Sequence, residues 1–293
     1  MSKHSFEAKK FRVKEGEPIK LSKISTKAGN DLGKKAEGIE SLKVDNASLQ
    51  EAQNRLFASA QRSMLIIFQG MDASGKDGTV RHVVSGINPQ GCRIYSFRAP
   101  NTEEVKHHFL WRPMKYLPER GMISIFNRSY YEEVMVVRVH PEFLGPQNLP
   151  PIKKPMDLWK QRFEEIREFE RTLVNSGTSV LKFYLHISRE EQKARLLDRL
   201  TQPEKRWKFN ERDLEERKLW EKYDEATQDV LSATSSKSTP WYIIPADDKW
   251  YARAAVADII AGHLESLDLQ YPKLSPEDEA KFALLEKQLQ VQD

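Results

Sequence analysis

Five short apolar runs, set between stretches of helical periodicity, restrict this chain more than any other feature of its sequence. They are Met64-Leu65-Ile66-Ile67-Phe68, Arg93-Ile94-Tyr95-Ser96-Phe97, Ile123-Ser124-Ile125-Phe126, Val180 through Ile187, and Trp241-Tyr242-Ile243-Ile244. Each has strand length, is rich in β-branched or aromatic residues, and ends at a turn or capping residue. Between them, Trp159, Phe163, Ile166, Phe169 and Leu173 form one helical stripe that stops at Gly177. Ser188 and Glu191 form a capping box for a further helix. Strands alternating with helices make a parallel sheet covered on both faces. The expected fold is a three-layer α/β/α architecture with a five-stranded parallel sheet.

With 293 residues, 39% hydrophobic and 31% charged, the chain encloses a core easily and is too apolar to be wholly disordered. Its 47 Lys+Arg against 43 Asp+Glu leave only +4, so placement of charge says more than the total. No stretch approaches the roughly 18 apolar residues of a membrane span, and the basic N-terminus has no apolar core of a signal peptide. A lone Cys92 can form neither an internal disulfide nor a cysteine-cluster zinc site, which points to a reducing compartment, most simply the cytoplasm. Residues 1–50 read as a polar extension lying over the domain, partly ordered at best; 51–272 form the body and 273–293 a terminal helix. That helix is capped by Ser275-Pro276-Glu277-Asp278, and its Phe282, Leu285 and Leu289 are expected to pack on the body or on a second subunit. Gly145 through Pro151 reads as a surface connection, because its prolines extend neither a helix nor a central strand.

The first run leads directly into Gly70-Met71-Asp72-Ala73-Ser74-Gly75-Lys76-Asp77-Gly78, which contains the Gly-x4-Gly-Lys core of a phosphate loop. Glycines let the backbone fold tightly and turn N–H groups toward an anion. The helix starting near Lys76 adds its positive end, and the lysine adds a full charge. Gly70, Ala73, Ser74, Gly75, Lys76, Asp77 and Gly78 are therefore phosphate-binding candidates. An ordinary loop has a metal-binding Ser or Thr after the lysine. Asp77 stands there instead, which makes Asp72 a candidate metal carboxylate; its alternative role is to cap N–H groups within the turn.

The third run ends in Asn127-Arg128-Ser129-Tyr130-Tyr131-Glu132. Ligands of such folds sit at the carboxyl ends of the strands, so these residues should face the same crevice as the loop. Asn127 holds the place of the usual Walker B Asp. Arg128 is placed to clamp an acceptor phosphate and Glu132 to contact the acceptor nucleotide or its metal, the alternative being a salt bridge at the sheet edge. Farther on, residues 193–218 read as a helical lid. Lys193, Arg195, Arg199, Lys205, Arg206 and Lys208 meet only Asp198 and Glu204 within the span 193–208, and Arg195 and Arg199 share a helical face. Unmatched cations suit a polyanion; a solvated face is the alternative. Trp207 and Phe209 read as packing anchors of that lid. His107 and His108 lack a third ligand and read as surface residues rather than a zinc site.

Three segments together resemble the polyphosphate kinase 2 family: Phe68 through Gly78, Phe126 through Glu132, and Glu204-Lys205-Arg206-Trp207-Lys208-Phe209. Trp241 through Trp250 is similar to its last strand and following loop. The resemblance covers roughly residues 50–270 and implies a P-loop kinase fold with a helical lid. It also implies phosphoryl transfer between inorganic polyphosphate and nucleotides, with Mg²⁺ or in its place Mn²⁺. Asn127 and Glu132 look like the subgroup that accepts both AMP and ADP, with guanine nucleotides as further acceptors. By position, Asp72, Lys76 and Arg128 would be catalytic, with the metal at Asp72. Asn127, Arg128 and Glu132 would bind the nucleotide, and Arg195, Arg199, Lys205, Arg206 and Lys208 the polyphosphate. A homo-oligomer, dimer or tetramer, is expected. An ATP-dependent nucleoside monophosphate kinase shares the loop and the lid. A nucleic-acid-binding module explains the basic lid but not the loop.

Overall fold

The computed structural model describes residues 6–30, 33–151 and 154–291. All five expected strands form: β1 (Ser63–Gln69), β2 (Cys92–Ser96), β3 (Ile123–Asn127), β4 (Thr178–His186) and β5 (Trp241–Pro245). They pair in parallel in the order β2-β3-β1-β4-β5, with Ile66 of β1 opposite Ile125 and Leu181. Every residue of β1, β3 and β5 is buried, as continuous apolar runs require.

Successive side chains of a strand point to opposite faces, and each face has its own core. Met64, Ile66 and Phe68 join Ile123, Ile125, Leu181 and Phe183 on one side. They pack under α1 (Lys35–Ser59), α2 (Lys76–Val83) and α9 (Lys249–Ser266). Leu65, Ile67, Phe126, Tyr184 and Trp241 face the other way, under α4 (Glu132–Val139), α5 (Pro155–Asn175) and α8 (Trp220–Thr234). The remaining helices are α3 (Trp111–Met114), α6 (Arg189–Thr201), α7 (Arg212–Lys218) and α10 (Pro276–Gln290). No helix among the described residues is long and apolar enough to cross a membrane.

The N-terminal segment departs from expectation. The boundary drawn at residue 50 falls inside α1, whose Leu49, Ala52 and Leu56 are fully buried at helical spacing. Phe6, Phe11, Val13 and Leu21 are also buried, and Phe6 and Phe11 pack their rings on Tyr251 of α9. Val13 N–H donates to Trp241 O at 2.9 Å and Ile243 N–H to Phe11 O at 2.8 Å. This segment therefore covers the open edge of β5, whose ladder groups would otherwise be unpaired. Its few apolar residues are spent on the body of the protein, so it is no loose extension.

At the other end, Ser275 accepts the Asp278 N–H as the expected cap of α10. No residue of α10 is buried, and Phe282 and Leu289 are 52% and 66% exposed, so the helix does not pack on the body. The connection after α4 is a 3-10 segment, Pro141–Gln147. Residues 152 and 153 of the proline-rich stretch lie outside the described residues.

Candidate active site

Gly70 and Gly75 take φ values of +150° and +102° as the chain leaves β1, and Ala73 between them takes +62°. A Cβ on Gly70 would lie 2.8 Å from both Leu185 O and Ser74 Oγ, so the turn cannot be made by another residue without movement. Lys76 opens α2 and turns back into the loop, its Nζ donating to Gly70 O at 2.6 Å and Met71 O at 3.1 Å. Burial and the nearby Arg128 cation push the Lys76 ammonium down to about 8, against the pull of Asp72, Glu132 and Asp77. Gly78 lies in the first turn of α2, beside the Arg253 guanidinium.

The carboxyl end of β3 meets this loop from the side. Arg128 adopts φ +63° and donates its N–H to Phe68 O at 3.0 Å, which ties its turn to β1. Its guanidinium spans two carboxylates, with Nη2 2.7 Å from Asp72 Oδ1 and Nη1 3.0 Å from Glu132 Oε2. Gln69 Nε2 donates to the other Glu132 oxygen at 3.0 Å. Burial alone would push Asp72 up, but Lys76 and Arg128 outweigh it and hold the carboxyl below its usual range. The salt bridge weighed as an alternative for Arg128 and Glu132 thus exists, and it lies inside the crevice. Asn127 Nδ2 donates to Asp77 Oδ1 at 2.6 Å. Compared with an ordinary phosphate loop, acid and neutral group have exchanged places: the carboxylate is on α2 and the uncharged partner on β3.

A buried ion pair lies beneath the β3 turn. Lys182 and Glu170 are both fully buried, Nζ to Oε2 being 2.5 Å. The Tyr130 and Tyr131 hydroxyls both donate to Glu170 Oε1 at 2.8 Å, and Lys182 also donates to Thr234 O at 2.8 Å. Tyr130 and Tyr131 lie between Arg128 and Glu132 in sequence, so this network fixes the turn that aims them.

The span expected as a lid comprises α6, a 3-10 turn over Pro203–Lys208, and α7. Its cations divide into two groups. Arg195 is buried and its guanidinium donates to Glu191 Oε1 and to four carbonyls: Ala73, Ser74, Ala246 and Asp247. A guanidinium has five N–H bonds, and all five are engaged. The expectation that Arg195 binds polyphosphate is therefore corrected: it staples the phosphate loop to the body. Arg199 pairs with Asp213 of α7 at 2.9 Å, and Lys205 stands 3.7 Å from Asp198. Arg206 and Lys208 are exposed. Trp207, expected as an anchor, is 79% exposed and carries Lys208 Nζ 5.0 Å from its ring centre.

Several neighbours went unremarked in the sequence. Asp213 on α7 faces Asp72, and burial together with that negative charge pushes its carboxyl up. Lys249 and Arg253 on α9 and Arg81 on α2 form a basic strip beside α2; burial pushes both Lys249 and Arg253 down, helped by the Arg195 cation at each, by Lys205 at Lys249 and by Arg81 at Arg253. None of these cations has an ion-pair partner among the described residues. Their signal in the sequence is weak, since they come from two helices far apart in the chain.

Asp72, Arg128 and Glu132 border a cavity of about 630 Å³, whose wall includes Phe97, Phe109, Met135 and Phe143. An apolar chamber that opens onto a charged end suits a nucleotide, its base inside and its phosphates at Arg128. Among the described residues no three acidic, His or Cys groups form a metal cage. Mg²⁺ commonly takes one or two carboxylates plus substrate phosphates, and the ionised Asp72 fits that pattern.

A phosphate loop, a basic lid and an acceptor chamber meeting at one arginine define a P-loop phosphotransferase. The polyphosphate kinase 2 family profile matches residues 33–272. An ADP-polyphosphate phosphotransferase of Rhodopseudomonas palustris is 46% identical, over 96% of this chain and 98% of its own. An AMP/ADP-polyphosphate phosphotransferase of Meiothermus ruber is 42% identical, over 95% of this chain and 100% of its own. The crystal structure of polyphosphate kinase 2 from Arthrobacter aurescens superposes with a TM-score of 0.88 at 36% identity, covering 97% of this chain and 98% of that one. The chain belongs to the polyphosphate kinase 2 family.

Proposed function

We propose that this enzyme transfers a phosphoryl group between inorganic polyphosphate and AMP or ADP, forming ADP or ATP, reversibly. The observation that carries the reading is Arg128, whose one guanidinium holds a carboxylate of the phosphate loop and a carboxylate of the acceptor chamber at 2.7 and 3.0 Å. Donor and acceptor phosphates brought to those two sides meet at that group. The two curated relatives, one named for ADP and one for both AMP and ADP, support both acceptors.

In this reading the terminal residue of polyphosphate lies over the loop amides and Lys76. Arg81, Lys249 and Arg253 extend its track along α2, with Arg199, Lys205, Arg206 and Lys208 on the lid side. The acceptor nucleotide occupies the cavity, its phosphate at Arg128, while Glu132 keeps that guanidinium oriented and Asn127 holds Asp77. An acceptor phosphate oxygen bonds to the terminal phosphorus as the bond to the bridging oxygen breaks, and the shortened polyphosphate leaves as an anion. The attacking oxygen is already ionised at neutral pH, so positioning and charge neutralisation supply the rate. Mg²⁺, or Mn²⁺ in its place, at Asp72 supplies further neutralisation of the transferring group. Adenine nucleotides are the principal acceptors in this reading, and guanine nucleotides secondary ones. We infer a cytoplasmic enzyme from the single cysteine, and a homo-oligomer of two or four subunits from the uncovered Phe282, Leu285 and Leu289 of α10.

The test is to mix the protein with Mg²⁺ and long-chain polyphosphate, add AMP or ADP separately, and resolve the nucleotides. ADP and ATP are expected, and ATP in place of polyphosphate should not serve as donor to AMP. Lys76→Ala and Asp72→Asn are expected to abolish transfer without unfolding the chain. No product from either acceptor would refute the reading.

A further inference from the structure

The phosphate loop is held from outside by one face of α6. Gln192 Nε2 donates to Asp72 O at 3.0 Å, and Arg195 Nη1 donates to Ala73 O at 3.0 Å and Ser74 O at 2.8 Å. Three successive carbonyls thus point toward α6. In a planar trans peptide the N–H lies opposite its carbonyl, so these units turn their N–H groups away from α6, and that of Ser74 closes the turn on Met71 O at 3.0 Å. Ala73, at φ +62°, sits in the middle of the held stretch. A non-glycine residue keeps such a conformation only where its surroundings enforce it.

Gln192 has a second contact. Its Oε1 accepts Arg217 Nη1 of α7 at 2.8 Å, and the same Nη1 donates to Arg189 O at 2.7 Å. The direction of both bonds is fixed by chemistry. A guanidinium only donates and a carbonyl only accepts, so the amide must present its oxygen to Arg217 and its nitrogen to Asp72. Gln192 is 2% exposed and lines the cavity wall. The second lid helix is therefore joined to the loop carboxylate residue through a single side-chain amide.

We propose that Gln192 is a positioning residue that couples the docking of α7 to the geometry of the phosphate loop. It touches no reacting atom. When Arg217 holds its oxygen, its nitrogen is aimed at Asp72 O, and the Asp72 side chain is set opposite Arg128. When α7 lifts away, the amide is free to turn and the loop loses one of its three outer supports. Closure of the lid over polyphosphate and completion of the loop are then one event. This inference rests on the reading of residues 70–76 as the phosphoryl site.

A double-mutant cycle tests it. Arg217→Met and Gln192→Met break the same link from its two ends, so each is expected to lower kcat about tenfold, and the double variant no further. KM for AMP should stay within about twofold in Arg217→Met, because Arg217 does not line the acceptor chamber. Gln192→Glu keeps an acceptor for Arg217 but has no donor for Asp72 O, and is expected to lose the same factor in kcat. Because residue 217 is only half-buried, Arg217→Met reports even if a substitution at 192 impairs folding, which a thermal melt of each variant monitors. Losses that multiply to about a hundredfold in the double variant, or an unchanged kcat in Arg217→Met or Gln192→Glu, overturn the coupling. Asp72→Asn is assayed alongside: if it is inactive while Arg217→Met is normal, the coupling alone fails; if it is active, the site reading itself fails.

Discussion

The clearest energetic consequence of this structure concerns Lys182, a lysine with no exposed surface in the middle of β4. Burial pushes its ammonium down while Glu170 opposes the shift, and the two groups sit 2.5 Å apart. Lys182→Met keeps most of the volume and removes the charge. Glu170 then keeps only the Tyr130 and Tyr131 hydroxyls, and Thr234 O loses the lysine. An uncompensated buried charge costs about 3–5 kcal/mol, within which an orphaned carbonyl contributes about 1–3. We expect Lys182→Met to lower the unfolding free energy by about 4 kcal/mol, a large share of the roughly 5–15 available to a domain. Urea denaturation followed by circular dichroism measures this, with an unchanged slope against denaturant showing that the same surface unfolds. Adding Glu170→Gln removes the stranded charge, so the double variant should regain stability to within about 2 kcal/mol of the parent. A cost below about 1 kcal/mol for Lys182→Met, or a double variant no more stable than the single, would refute the argument that this pair holds the β3 turn.

The phosphate-loop lysine predicts a pH dependence. With a value pushed down to about 8, Lys76 is cationic below that pH and loses its charge above it. Initial-rate profiles should therefore show kcat/KM for polyphosphate flat below pH 7 and falling by up to about tenfold per unit above pH 8; a flat profile to pH 9.5 would contradict the burial of this group. Phe11→Ala should cost about 3 kcal/mol by the same urea measurement, because Phe11 packs against Phe6 and Tyr251. Its kcat should be unchanged at temperatures where the variant is folded.

What could be read in advance follows a physical line. All five strands and the α5 stripe are local patterns, and each stands within a residue or two of where its periodicity placed it. Gly70, Gly75 and Lys76 were legible as a tight turn for the same reason, since all three fall in one short stretch directly after β1. Arg195 reads differently in the sequence because a sequence displays a charge without its partners, and its five acceptors come from three separate parts of the chain. Arg128 and Glu132 were recognised, but their bridge to Asp72 depends on how β1 and β3 lie side by side. Gln192 and Asp213 carry no motif at all; only the closing of the lid onto the loop gives them meaning. The first fifty residues read as a partly ordered polar extension because their few apolar groups find partners some two hundred residues away in α9 and β5.

That last pairing also dictates an order of assembly. Residue 12 bridges Tyr242 in antiparallel fashion, and Phe11 and Val13 exchange backbone hydrogen bonds with β5. On a ribosome, β1, β3 and the phosphate loop can associate while β5 is still unsynthesised. Residues 6–13 must wait through all of that with Phe6 and Phe11 unburied. A contact across so long a span can form only once β5 has been made, so the joining of residues 6–13 to β5 comes late in folding. Until it occurs the nascent chain carries an open strand edge and exposed aromatic rings, the surface that chaperones and neighbouring chains recognise.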